Sequence, residues 1–146
     1  MPIFCRTSTS ILSRTLTSSD KTIEIDALGD GVKKAIIYAS AASLVDNTIV
    51  LIEDPEVHQH PNGIAALMRF ILKRSREKRL QLFIITHSIE LINIVKKICE
   101  DLGIKLRIFF IEKDYSTDTV DVRVLESIDV EFLQKLGLDP RLLYLL

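Results

Sequence analysis

Two adjacent carboxylates, Glu53 and Asp54, stand directly behind four apolar residues, Ile49 to Ile52, and in front of Pro55. A short apolar run ended by a proline reads as a strand whose tip delivers negative charge. A second apolar run, Leu82 to Ile85, is followed by Thr86, His87 and Ser88. Two acids and an imidazole in one cleft can hold a magnesium ion, orient or deprotonate a water and hydrogen-bond a phosphate oxygen, the parts of phosphoryl-transfer chemistry. The histidines offer a rival chemistry. His58 and His60, spaced HxH beside Glu53, Asp54 and Glu56, would point the same way on an extended loop. With Asp54 or His87 as a further ligand they would make a zinc site of hydrolase type. Taken singly, an acidic pair also begins many solvated loops, and a histidine after a strand is commonly an ordinary polar residue.

Positioning these groups falls to the elements between them. Ile64, Leu67, Met68, Ile71 and Leu72 recur at helical spacing, so residues 62–78 form a helix joining strand 49–52 to strand 82–85. Such a βαβ unit crosses over right-handed and leaves its strands parallel, with their carboxyl ends on one edge. If the strands are neighbours, about 4.8 Å apart, Glu53 and Asp54 face His87. The unalternated run Ile49 to Ile52 suits a strand covered on both faces. Upstream, the alternating KTIEID is a strand, LGDG a turn, and Val32, Ala35, Ile36 and Ala39 mark a helix from about Gly31 to Val45 with Asp30 placed to cap it. The free N–H groups of that helix start make a ready anion site, and equally an ordinary capped terminus. Downstream, Leu91, Val95, Ile98 and Leu102 line a third helix that Gly103 stops. Strands at 104–111 and 120–125 flank a polar turn, and a short helix covers about 130–136. The expected fold is α/β, a mainly parallel sheet flanked by helices, with a polar segment over 1–21 and a single domain over 22–146.

At 146 residues, 47% of them hydrophobic, the chain is one domain's worth and should bury a core. A net charge of −1 gives no global field to attract nucleic acid. The run Lys73, Arg74, Arg76, Lys78 and Arg79 could meet nucleic acid locally, and it also offsets the negative end of its helix dipole. Cys5 and Cys99 form no CxxC, which fits a reducing, cytoplasmic setting, and no apolar run is long enough to span a membrane. Residues 1–19 are rich in Ser, Thr and Arg without acids, as in an organelle transit segment, but a polar first strand or frayed start fits them better.

The order of LGDG and helix, apolar strand with EDPE and a closing HP, then apolar strand with THS and helix, resembles the C-terminal half of ABC-type ATPase heads. The SMC-like and overcoming-lysogenisation-defect-like AAA ATPases are the relatives it looks like, over roughly Thr22 to Ile98. The resemblance implies a partial P-loop NTPase fold. It makes Leu28 to Val32, with Gly29, Asp30 and Gly31, the signature turn that touches the γ-phosphate held by a second head. It makes Glu53 the Walker B acid that holds magnesium through water, Asp54 the catalytic carboxylate that also neighbours the metal, and His87 the switch histidine. The residues LGLDPRLL, 136 to 143, resemble the C-terminal end of such ATPases. Where the family carries serine this chain has Gly29, and its Glu-Asp pair reverses the commoner order of acid lengths. None of its five glycines builds the phosphate-cradling GxxxxGK[ST]. The expectation is therefore an ATP- and Mg2+-dependent hydrolase half that is inactive alone and needs an N-terminal P-loop half or a second head, so that it works as an oligomer. The alternative is a non-catalytic, nucleotide-gated or structural interaction module.

Overall fold

The computed structural model describes residues 15–18, 21–24, 27–114 and 116–125. The chain divides into two compact units, Met1–Ile98 and Cys99–Leu146. In the first unit the polar stretch supplies β1 (Thr15–Ser18), which pairs antiparallel with β2 (Lys21–Glu24). Helix α1 (Asp30–Leu44) follows, then β3 (Ile49–Glu53), α2 (Pro61–Glu77), β4 (Gln81–Ile85) and α3 (Ile89–Leu102), which runs on into the second unit. The expected βαβ unit is present: β3 and β4 are parallel neighbours, Ile49 facing Gln81 and Glu53 facing Ile85.

Helix α2 owes its length to a clean stripe. Ile64, Leu67, Met68, Ile71 and Leu72 are all buried, and the buried hydroxyl of Ser75 donates to the Leu72 carbonyl, 2.8 Å. Pro61 opens the helix where no N–H is needed, and the ring of His60 accepts the Asn62 N–H at 3.2 Å as an N-cap. Its basic end is largely answered within the fold. Arg74 donates to Glu77 at 2.8 Å and lies over the Phe70 ring, while Lys78 reaches Asp46 at 3.0 Å. Together with Leu91, Val95, Ile98 and Ile52, the α2 stripe makes the core of this unit.

Two expectations need correction. Strand β3 is covered on one face only: Ile52 is 3% exposed, but Ile49 is 57% and Leu51 68% exposed. Phe83 and Ile85 are exposed on the same face of β4, since the parallel register sets Phe83 beside Leu51 and Ile85 beside Glu53. Asp30 is not the cap of α1. Gly29 holds the extended N-cap conformation (φ −61°, ψ 152°) with no side-chain cap, and its carbonyl accepts from Val32 and Lys33. Asp30 is already helical, and its carboxylate turns to Lys33, 3.6 Å away. Val32, the first member of the proposed stripe, is half exposed, and only Ala42 in α1 is fully buried.

In the second unit Cys99 is buried, and Gly103 (φ 62°) ends α3 in a left-handed conformation that suits glycine. The next strand starts later than its apolar run, as β5 (Ile108–Asp114), and pairs antiparallel with β6 (Thr119–Leu125). The turn is organised by Asp114, whose Oδ1 accepts the Ser116 N–H at 2.8 Å and the Ser116 hydroxyl at 2.6 Å. These bonds hold the Asp114 carboxyl at about 2, below its ordinary 3.8. One hairpin face carries Arg123 against Glu112 and Asp121; the other leaves Phe109, Ile111, Val120, Val122 and Val124 exposed. The helix expected at 130–136 and the motif at 136–143 lie outside the described residues.

Candidate functional site

Glu53 ends β3 and Asp54 begins the loop beyond it, while Thr86, His87 and Ser88 leave β4 at the same edge. The parallel register therefore brings the paired acids and the imidazole to one side of the sheet. The Asp54 N–H donates to the Ile85 carbonyl at 2.9 Å, so the ladder closes one residue past the strand. Asp54 sits at φ 42°, a left-handed conformation that aspartate tolerates better than most residues, and its carbonyl accepts the Val57 N–H at 3.2 Å. Pro55 is fully buried and pins this turn. Glu53 is exposed and Asp54 half-buried, and the Tyr38 hydroxyl donates to the Glu53 carbonyl at 3.3 Å.

One further link joins the two loops, between residues to which the motif order assigned no role. The Thr86 hydroxyl donates to Glu56 Oε1 and accepts the Ser88 N–H at 2.9 Å. Ser88 Oγ then accepts the Leu91 N–H at 3.2 Å, and the Ser88 carbonyl accepts that of Ile92, so Ser88 caps α3. The other oxygen of Glu56 is buried and meets no hydrogen-bond partner among the described residues. The sequence carried no direct signal for this link: Glu56 lies three residues past the end of β3 and Thr86 one residue past the end of β4, and only the parallel register brings their loops to one edge.

Gly29, Asp30 and Gly31 lie across a cleft of about 400 Å³ from His58, Gln59 and His60. Gly31 is required for close approach. A Cβ there would overlap the His58 carbonyl oxygen, and Gln59 Nε2 donates to the Gly31 carbonyl. At Gly29, by contrast, an added Cβ would meet nothing within 4 Å.

The donor set suits one metal and not the other. Magnesium is held by one or two carboxylates with waters and substrate phosphates, and the Glu53–Asp54 pair fits that mode. The zinc arrangement does not form. His58 is left-handed (φ 66°) instead of extended, and Nδ1 of His60 is used to cap α2, leaving its other nitrogen protonated in the neutral ring. Among the described residues, no three His, Cys, Asp or Glu side chains converge to hold a metal ion.

The described residues thus form a parallel βαβ unit with paired acids at one strand tip and a histidine beyond the next. Residues 6–93 match the family described as "AAA domain, putative AbiEii toxin, Type IV TA system", and the chain belongs to that family. An uncharacterized protein of Methanocaldococcus jannaschii is 28% identical over 114 residues, covering 78% of this chain and 99% of that protein. A solved SMC ATPase, described in terms of ATP-driven dimerization and DNA stimulated activation, shares the fold with a TM-score of 0.58 at 13% identity, covering 86% of this chain and 72% of that one. No helix among the described residues is long and apolar enough to cross a membrane.

Proposed function

We propose that this chain is the acid- and switch-bearing half of an ABC-type ATPase head, completed for MgATP hydrolysis by a P-loop-bearing half or a second head. The observation that carries this reading is the parallel register of β3 and β4, which brings Glu53, Asp54 and His87 to one edge. Bound magnesium supplies charge neutralisation at the phosphates. Of the chain's own groups, Glu53 holds the metal's water shell, Asp54 orients and polarises the attacking water, and His87 hydrogen-bonds the terminal phosphate. Gly29, Asp30 and Gly31 face the phosphate of the opposite head. Gly29 offers its backbone N–H there without the serine hydroxyl, and Asp30 turns its charge to Lys33.

The solved relative by fold is an ATPase that dimerizes with ATP, and a two-headed arrangement suits a chain whose 146 residues contain no GxxxxGK[ST]. The exposed face of Ile49, Leu51, Phe83 and Ile85 gives such a partner apolar surface to cover. The test is phosphate release from MgATP by the chain alone and with a P-loop-bearing partner. The expected outcome is no turnover alone, turnover in the mixture, and loss of about 100-fold or more on Asp54→Asn. Magnesium-dependent turnover by the pure chain would overturn the half-site reading. A mixture that associates without hydrolysing ATP would favour the structural module.

A further inference from the structure

We propose that Glu56 is a positioning residue: it clamps the acid-bearing loop to the loop that carries His87, so that the two halves of the site are held in fixed relation. The proposal rests on the reading of His87 as the group that meets the terminal phosphate. Its first support is geometric. Backbone pairing between the loops ends at the bond from Asp54 to the Ile85 carbonyl, and Thr86 to Ser88 lie beyond that last bond. From there the Thr86 hydroxyl, with a single proton, gives it to Glu56 and takes the Ser88 N–H on a lone pair. Ser88 in turn caps α3 through Leu91 and Ile92. His87 sits between the two residues this relay fixes. Its loop is thereby tied to the turn that begins at Asp54 and is pinned by the buried Pro55.

The second support is the cost of keeping a carboxylate there. Glu56 Oε2 is buried and has no partner among the described residues. Burying an unanswered polar oxygen opposes folding, and an apolar side chain would fill the same space without that penalty. The carboxylate is accounted for by what its other oxygen holds. The bond to Thr86 is part-buried, so water competes with it less than with a fully exposed link.

The test uses the full chain and compares Glu56→Ala, Thr86→Val, their combination, and Thr86→Ser. Amide hydrogen exchange at Ser88 and Leu91 is read against Met68 and Ile71 in the α2 core, and the order of the His87 ring is read by 13C relaxation. Each single variant should speed exchange at Ser88 and Leu91 by about tenfold relative to the core, the scale of one hydrogen bond. The double variant should go no further, Thr86→Ser should restore protection, and the ring of His87 should gain mobility in step. Thr86→Val only replaces a hydroxyl with a methyl, so it serves if Glu56→Ala does not fold. Additive effects, or exchange at Ser88 and Leu91 that merely follows the core, would overturn the clamp. In the partner mixture, Glu56→Ala should lower kcat for ATP at unchanged KM when the rate is divided by the folded fraction measured by circular dichroism, a correction that removes the loss general destabilisation would cause. Mobilised His87 in the chain alone, with no hydrolysis by any mixture, would support the clamp and count against the ATPase reading.

Discussion

Gly29 and Gly31 are two residues apart and answer to different constraints. At Gly31 a methyl group meets the His58 carbonyl, part of a backbone turn that cannot swing aside as a side-chain tip would. Gly31→Ala should therefore cost about 1–3 kcal/mol in chemical denaturation, the usual toll of overpacking. At Gly29 the space is open and the conformation is that of an N-cap, so Gly29→Ser should fold normally. It should gain on the order of a few tenths of a kcal/mol by capping α1. If this turn faces a nucleotide as proposed, the same hydroxyl adds a donor to phosphate, and tighter nucleotide binding in a partner mixture is the accompanying expectation. If both variants lost the same stability, steric crowding would not be what distinguishes the two glycines.

Among the elements, the β5–β6 hairpin makes the clearest statement about pH. The Asp114 carboxylate is favoured in the folded turn by the hydroxyl and N–H of Ser116 and by Thr117, so its folded value, about 2, lies below its ordinary 3.8. The stability it lends is present above the ordinary value and is lost as pH falls through the folded one. A carboxyl-detected NMR titration should place the Asp114 midpoint near that lower value, with the Ser116 amide shifting in parallel; Asp114→Ala should abolish the amide response. Legibility from sequence divides along the same elements. Helix α2 and its neighbouring strands were readable because five buried side chains repeat at helical spacing and Pro61 opens the run. The single-sided burial of β3 was not, since Ile49 to Ile52 have the same composition whether one face or two is covered. Nor was Gly29's role as cap, which depends on a backbone conformation that Asp30 could also have adopted. The acids and His87 could be assigned to one edge from chain order alone, whereas the Glu56–Thr86 link needed the register.

At the scale of the whole chain, α3 begins in one compact unit and ends in the other, and Cys99 is the first residue of the second. Its thiol is only 2% exposed, and burial, with Glu100 nearby, pushes its pKa up. Alkylating reagents attack the thiolate and need a path to it, so the folded chain should protect this sulfur on both counts. Peptide-resolved mass spectrometry during maleimide labelling should find Cys99 modified far more slowly in the native chain than in denaturant. The native rate then measures how often this end of α3 opens to solvent. Comparing it with exchange at Leu91, earlier in the same helix, tells whether the helix opens as one piece or yields first at its far end. The buried sulfur is in effect a stopwatch built into the helix, and it can be read without attaching any probe to the protein beforehand.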